Sequence, residues 1–312
     1  MTGVIGHIPN PTRAEAVDLA TAAEQAGARW IGLADAFWWR DVWTLLESIA
    51  HATSRIEIGP AMTNAYLRHR FHTASALATL HETAAGRVFC GIAAGGSEVT
   101  AAARIARDDA DVQSTMLVEL LRDLVAGRPL DAESGRTLDI ELPETPVLMA
   151  GRGNKMLTVA GSAADRVLLW AIPKSDLERS VAIIHRAAEA AGRSPELIWA
   201  PLVRHGDVPA ASLGHPAVYA ALNTASPIRQ AWGLRDPVVK FIRAALVGGR
   251  LAEAIDLVPE SALDDLVLDP GDVDAIASRA AALGVSEIAV PGFAADTVGA
   301  HVAWAQTVEA KL

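Results

Sequence analysis

The chain has 312 residues, 51% of them hydrophobic, and its formal net charge at pH 7 is −10; this length suits one large α/β barrel or two ordinary domains. The acidic balance without a basic stripe excludes a nucleic-acid partner, and no apolar run reaches the ~18 residues that a membrane span requires. The single cysteine, Cys90, excludes an internal disulfide, and without a visible signal peptide a cytoplasmic protein is expected.

Short apolar runs alternate with helical patterns along the whole chain. Thr12 and Glu15 form a capping-box pattern for a first helix that ends before Gly27. Further helices are predicted over residues 43–53, 74–81, 112–126, 155–163, 177–191, 273–283 and 296–310. Strands are predicted over residues 3–8, 30–34, 56–60, 87–94, 147–150, 166–171, 197–203 and 286–291.

The stretch 55–97 shows the unit from which this pattern is built. Two apolar runs, 56–60 and 87–94, flank one helix, which Gly86 ends. Such a β-α-β unit implies parallel strands joined by a right-handed crossover. Eight strands alternating with helices predict an α/β fold, the (β/α)8 TIM barrel. Residues 209–270 are predicted to form a helical insertion between strands seven and eight. The whole chain, residues 1–312, is predicted to form a single domain.

In such a barrel, the ligand site lies where the strands end at their carboxyl termini. These positions carry small residues, aromatics and few reactive groups, with no Ser-His-Asp spacing and no cluster of metal ligands. A site of this kind suits a cofactor that brings its own reactivity. The candidate cofactor-binding residues are Asp35, Trp38, Ala61, Met62, Thr63, Asn64, Ala94, Gly95, Gly96, Ser97, Gly151, Arg152, Gly153 and Asn154.

The segment Gly151 to Asn154 is a candidate cradle for a phosphate. Its glycines permit close backbone approach, and the N–H groups at the start of the next helix attract an anion. Arg152 adds a fixed positive charge. The alternative is a tight turn between a strand and a helix, which any barrel needs.

Asp35 ends the second strand, and it either binds a ligand edge or caps the next helix. Among the tryptophans that follow, Trp39 and Trp43 are four residues apart and are expected to share a packed helical face. Trp38 is therefore the better candidate for the wall of a pocket that holds a flat ring.

Two histidines near strand ends, His7 and His205, are the candidate catalytic proton donors. His81 lies on the apolar face of its helix, where a hydrogen-bonded core histidine is expected.

The segments GPAMTN (59–64), YLRH (66–69), ATLHE (78–82) and GRVFCGIAAGG (86–96) occur in order, and AGRGNKM (150–156) follows. Together they resemble the bacterial-luciferase-like superfamily, and within it the coenzyme F420-dependent oxidoreductases of the methylenetetrahydromethanopterin-reductase type. The resemblance implies a TIM barrel, a deazaflavin cofactor and a cis peptide bond between Ala61 and Met62. The sequence departs from the pattern at these two residues, at Arg70, at His81 and at Ala93-Ala94.

The resemblance leads to an F420-dependent oxidoreductase that transfers a hydride between the deazaflavin and a small organic substrate. The sugar-phosphate dehydrogenases of this group have a histidine directly after the strand-two aspartate, where this chain has Ala36. Sugar-phosphate oxidation is therefore not expected. The alternatives are an FMN-dependent monooxygenase and a catalytically silent flavin-binding barrel. A homodimer without bound metal is the expected assembly.

Overall fold

Parallel strands form a nearly closed barrel in the computed structural model, which describes residues 2–131, 133–206 and 210–312. The strands are β1 (Gly3–Gly6), β2 (Trp30–Leu33), β3 (Glu57–Pro60), β4 (Cys90–Ala93), β5 (Val147–Ala150), β6 (Arg166–Trp170), β7 (Glu196–Ala200), β8 (Leu202–Val203), β9 (Val267–Leu268) and β10 (Glu287–Gly292). Eight of them form one sheet in the order β3-β2-β1-β10-β7-β6-β5-β4. Isolated parallel bridges, Ile58 with Val88 and Thr63 with Ile92, connect the two edge strands. The predicted (β/α)8 barrel is thereby confirmed.

Helices connect successive strands of the barrel. In chain order they are α1 (Arg13–Gln25), α2 (Val42–Ala52), α3 (Arg70–Thr83), α4 (Ser97–Ala102), α5 (Ala110–Val125), α6 (Asn154–Ala163), α7 (Leu177–Ala190), α8 (Ala210–Asn223), α9 (Ser226–Ala231), α10 (Asp236–Val247), α11 (Leu251–Asp256), α12 (Glu260–Leu266), α13 (Val273–Ala282) and α14 (Ala295–Glu309). None of the helices in these described ranges combines the length and the apolar composition that crossing a bilayer requires.

The predicted strand 197–203 is in fact two strands. β7 ends at Ala200, and β8 pairs with β9 instead of with a barrel strand. Pro201 separates them, because its ring removes the N–H that would continue the ladder. The chain therefore leaves the barrel at this proline.

The helices α8 to α12 lie between β8 and β9 and pack around an apolar cluster of their own. That cluster includes Ala217, Leu222, Trp232 and Ile242, all buried. Pro209, at which the predicted insertion begins, lies outside the described residues. The described helical segment ends at Leu266, where β9 follows directly.

The barrel interior is filled by large side chains. Trp30 and Phe89 are both fully buried there and meet edge to face, with ring centroids 5.6 Å apart. Glycines on neighbouring strands leave the space that these side chains occupy. A Cβ on Gly3 would lie 2.0 Å from the Trp30 ring, and one on Gly59 would lie 2.2 Å from the Phe89 carbonyl oxygen. A ligand therefore cannot enter this interior and must bind at an end of the barrel.

Candidate active site

Three side chains form a platform at the carboxyl end of the barrel. Met62, Ala150 and Trp170 are partly buried, and each packs against the apolar cluster of the barrel interior. They come from the segment after β3 and from the ends of β5 and β6. This platform is an apolar surface on which a flat ring can lie.

The segment that carries Met62 is closely packed against both neighbouring strands. The peptide bond between Ala61 and Met62 is cis, as the resemblance implied. A Cβ on Gly32 would lie 2.3 Å from the Ala61 Cβ, and one on Gly91 would lie 2.0 Å from the Pro60 carbonyl oxygen. These two glycines therefore allow the segment its position above the barrel interior.

Asn64 and Gly95 shape the rim beside the platform. The buried Asn64 side chain accepts hydrogen bonds from the backbone N–H groups of Tyr66 and Leu67, at 3.1 and 3.0 Å. Gly95 has φ +82°, in the left-handed region that favours glycine, and a Cβ there would lie 3.3 Å from Asn64 Cγ. Both predicted site residues thus hold the loops that border the site.

Ala94, Gly96 and Ser97 continue this rim toward α4. A Cβ on Gly96 would lie 2.1 Å from the hydroxyl oxygen of Tyr219 in α8, so the helical segment reaches the rim here. The backbone of Ser97 begins α4. Its side chain lies outside the described part of the structure.

Asp35 lies at the end of β2 and reaches across to the segment after β3. Its Oδ2 accepts a hydrogen bond of 2.7 Å from the Thr63 hydroxyl. Burial raises the pKa of Asp35, although this hydrogen bond opposes the change. The cap of α2 is Asp41, which accepts from the N–H groups of Trp43 and Thr44. The capping role considered for Asp35 therefore belongs to Asp41.

A cavity of about 200 Å³ opens beside Asp35, and its lining includes Phe37, Trp39 and Arg68. Trp38 is not part of this lining. Trp38 is 47% exposed, and its indole meets the Phe37 ring edge to face, at 4.9 Å between centroids. Trp39, which was expected to pack in the core, lines this cavity, and the role of Trp38 as a wall for a flat ring stays a prediction. Trp43 is buried, as predicted.

The predicted phosphate cradle is an open helix terminus. Gly153 is the N-cap of α6 and makes no side-chain capping bond. A Cβ on Gly153 would meet nothing within 4 Å, whereas one on Gly151 would lie 2.7 Å from Met156 Cβ. The exposed Asn154 accepts a 2.6 Å hydrogen bond from Arg179. Gly151 thus serves the packing of the turn, and Gly153 leaves space before the helix N–H groups.

Arg152 does not point into this cradle, in contrast to the expectation from the sequence. Its guanidinium donates to the carbonyl oxygens of Trp170 and Ala171, at 2.9 and 3.0 Å. It also lies over the Trp170 ring, 5.2 Å from the centroid. Two adjacent carbonyls offer a fixed pair of acceptors to the planar fork of the guanidinium. Arg152 thus fastens the end of β6.

His7 lies beside the platform, between two aromatic rings. It stacks on Trp170 at 5.8 Å between centroids, and it meets the Phe293 ring in a tilted arrangement at 5.7 Å. The Trp170 indole N–H donates to His7 Nε2 at 3.3 Å. Burial, and to a smaller extent the nearby His215, lower the pKa of His7 to about 4. His7 is therefore a neutral imidazole at physiological pH.

The structure separates His205 from His7. The buried His205 ring stacks on His301 of α14 at 4.2 Å and meets the edge of Trp304 at 5.2 Å. Phe293 and His301 lie between the two histidines in this series of rings. His205 was placed at the end of a barrel strand, but the chain has already left the barrel at Pro201. Of these two candidate histidines, His7 is the one that contacts the platform.

The sequence profile of the family described as "Luciferase-like monooxygenase" matches residues 2–285. The chain belongs to this family. Among curated relatives, a 5,10-methylenetetrahydromethanopterin reductase of Methanolobus tindarius is 27% identical over 308 residues, which cover 92% of this chain and 93% of that protein.

Two solved structures have the same fold as this luciferase-like protein. The coenzyme F420-dependent tetrahydromethanopterin reductase from Methanopyrus kandleri aligns with a TM-score of 0.78 at 22% identity, over 93% of this chain and 92% of that one. An F420-dependent secondary alcohol dehydrogenase, in complex with an F420-acetone adduct, aligns with a TM-score of 0.75 at 17% identity, over 99% of both chains.

Two contacts of this luciferase-like site were not predicted. Phe293 follows β10 and packs on His7, and Tyr219 of α8 reaches Gly96. The sequence does contain a signal for Phe293, since an aromatic residue just beyond a barrel strand is a candidate for the site. Tyr219 has none, because nothing in its own helix indicates which end of the barrel that helix covers.

Proposed function

We propose that this luciferase-like protein is an F420-dependent oxidoreductase that transfers a hydride between the deazaflavin and an electrophilic carbon of a small organic substrate. One observation carries the proposal. A partly buried apolar platform around Met62 and an open helix terminus at Gly153 lie at the same end of the barrel. A cofactor with a flat ring and an anionic side chain requires both the apolar platform and the open helix terminus.

The described residues fit such a cofactor. Gly153 leaves space in front of the first N–H groups of α6, where the helix dipole favours an anion such as a phosphate. Met62 and Ala150 offer apolar contact to one face of a ring. When bound, reduced F420 would supply a hydride, which is a proton together with two electrons, and solvent would supply the proton that completes the reduction.

The protein's own residues would orient the reactants and exclude water. Asp35, held by Thr63, has a second carboxylate oxygen to which none of the described residues donates a hydrogen bond. This oxygen is available to a polar edge of the cofactor or the substrate. Arg152 holds the end of β6, which keeps Trp170 within the platform and His7 beside it.

The relatives named as methylenetetrahydromethanopterin reductases support F420 as the cofactor. The family is also named for monooxygenases, which supports FMN as the alternative cofactor. Both cofactors carry a flat ring and a phosphate, so the cradle and the platform alone serve either one.

The proposal is tested by titrating the purified protein with F420 and, separately, with FMN, and following cofactor fluorescence. We expect F420 to bind at least about tenfold more tightly, a difference of about 1.4 kcal/mol. Micromolar binding of FMN without an F420 signal would assign the protein to the FMN-dependent group. Binding of neither cofactor would refute both assignments.

A further inference from the structure

The side chain of His7 has one nitrogen that is used within the protein and one that is not. Nε2 accepts the 3.3 Å hydrogen bond from the Trp170 indole. An indole N–H can only donate, so Nε2 must carry the lone pair and the proton of the neutral ring must lie on Nδ1. Among the residues that the structure describes, none accepts a hydrogen bond from His7 Nδ1. The partly exposed side chain can therefore offer Nδ1–H to a ligand.

We propose that Trp170 is a positioning residue that holds His7 as a neutral imidazole with its proton on Nδ1. We also propose that this N–H faces the space above the platform, here called the cofactor chamber, as a hydrogen-bond donor. The second half of the proposal rests on the proposed function. A neutral imidazole N–H is too weak an acid to give up its proton, but it polarises an acceptor such as a carbonyl oxygen. A similar role is known for a neutral histidine in another barrel enzyme, triosephosphate isomerase.

Trp170 is itself held firmly enough to impose this arrangement. Arg152 donates to its carbonyl oxygen at 2.9 Å and lies over its ring. The next residue, Ala171, has φ +44°, a left-handed conformation that is unfavourable for an L-residue other than glycine. Ala171 keeps it because its N–H donates to the Ala200 carbonyl at 2.8 Å and its own carbonyl accepts from Arg152. The backbone at Trp170 is thereby held on both sides of its carbonyl, and Arg152 covers one face of the indole.

The groups around His7 also favour its neutral form. They are Trp170 of β6, Phe293 after β10 and His215 of α8. Two of them are uncharged aromatic rings, which solvate an imidazolium poorly. The third, His215, disfavours a second positive charge. No carboxylate among the described residues forms an ion pair with His7.

The proposal is tested by nitrogen NMR of the ligand-free protein labelled with 15N-histidine, with the His7 signals assigned from their loss in His7→Gln. In the wild type we expect a pyrrole-type Nδ1 and a pyridine-type Nε2 at pH 7, with protonation only near pH 4. In Trp170→Phe, which keeps an aromatic ring but loses the donor, both nitrogens should move toward averaged shifts. The pKa of His7 should rise by about half a unit to one unit, as the loss of one neutral hydrogen bond implies.

Trp304→Phe is the matched control, because it also removes an indole N–H next to a histidine, at His205. It should leave the His7 signals unchanged. His215→Gln separates charge from hydrogen bonding: it should raise the His7 pKa without changing the tautomer. A pyrrole-type Nε2 in the wild type, or identical His7 signals in Trp170→Phe, would overturn the role of Trp170.

The position of Nδ1–H is tested by adding F420 to the labelled protein. We expect the His7 Nδ1–H signal to shift and to exchange more slowly with water, because the ligand covers it. If F420 binds and this signal does not change, Nδ1–H does not face the chamber and that half of the proposal is overturned. If F420 does not bind, the proposed function fails while the tautomer result stands by itself.

Discussion

At the scale of single residues, the candidate site separates groups that shape the backbone from groups that are offered to a ligand. The side-chain oxygen of Asn64 and the glycines Gly95 and Gly151 hold their loops. Asp35 and His7 each keep one polar atom that no described residue engages. The sequence places all five at strand ends, but it cannot separate the two groups, because the difference lies in contacts with distant loops.

At neutral and alkaline pH, Asp35 is expected to lower the free energy of unfolding while it contributes to F420 binding. Because burial raises its pKa in the folded protein, its charged form is disfavoured, and the stability it contributes is lost as the pH rises through that raised pKa. Asp35→Asn keeps an acceptor for Thr63, so it should raise the melting temperature at pH 8 and weaken F420 binding about tenfold or more. Calorimetry and cofactor titration measure the two effects.

The control for this variant is Asp18→Asn, since Asp18 is exposed on α1. It should change the free energy of unfolding by less than about 0.5 kcal/mol and leave binding unchanged. A lower melting temperature for Asp35→Asn, with intact binding, would show that Asp35 is a structural residue.

At the scale of elements, local signals in the sequence predicted helices well and strand ends poorly. The predicted capping box is present: Glu15 N–H donates to Thr12 Oγ1 at 3.2 Å, and Thr12 N–H donates back to the Glu15 carboxylate at 2.7 Å. The end of β7 was missed because Pro201 lies within an otherwise continuous apolar run. That error placed His205 at the candidate site.

The turn between α2 and β3 is held by two side chains from other elements. Glu24 Oε1 accepts from the backbone N–H groups of residues 54, 55 and 56, at 2.9, 2.6 and 3.0 Å. Arg87 donates to the carbonyl oxygens of Ala50, Thr53 and Ile56. Arg87 belongs to the segment 86–96 that resembles the family pattern, and both residues act in folding at the end of the barrel away from the site.

Glu24→Ala should therefore lower the free energy of unfolding by about 1–2 kcal/mol, because three backbone N–H groups lose a charged acceptor in a partly exposed place. These N–H groups lower the pKa of Glu24, although burial opposes the change. The stability that Glu24 contributes is therefore present above the ordinary glutamate pKa and is lost as the pH falls below that value. Urea unfolding at pH 7 and pH 4 measures this. Glu189→Ala, at an exposed site on α7, should have no such effect. Equal stability losses in the two variants would contradict this account.

At the scale of the whole molecule, the two ends of the barrel have different chemistry. The carboxyl end carries the apolar platform, whereas the other end carries a cluster of charged residues from five strands or their flanks. Arg29 pairs with Glu57, Glu196 and Glu287 at 3.4, 2.9 and 3.0 Å, and Arg166 pairs with Glu57 at 2.5 Å. The alternation of strands and helices predicts the barrel, but no local pattern shows that these charges meet.

Glu287 is the most deeply buried carboxylate of this cluster. The Trp30 indole donates to its Oε1 at 2.5 Å. Burial raises its pKa to about 7, although Trp30 and Arg29 oppose the change. Because the folded pKa exceeds the unfolded value, the stability from this group is complete below about pH 4.5 and is lost as the pH rises through 7.

Glu287→Gln keeps an acceptor for Trp30 and removes the charge. Its free energy of unfolding relative to wild type should therefore increase by up to about 3 kcal/mol between pH 4.5 and pH 8. Urea unfolding across this range measures the difference. Glu196→Gln, at a more exposed partner of the same arginine, should give a smaller change. A constant difference between Glu287→Gln and wild type would refute the buried-carboxylate account.

The central claim is that a cofactor anion binds at the start of α6 while its ring lies on the platform around Met62. The measurement that tests it most directly is the F420 dissociation constant of Gly153→Val. Gly153 has φ −81° and open space around it, so the variant should fold normally and lose at least about 100-fold in affinity, because its side chain occupies the anion's place. Gly299→Val, at an equally open glycine on α14, should bind F420 as the wild type does. Unchanged affinity in Gly153→Val, with the fold intact, would show that this loop is only a turn.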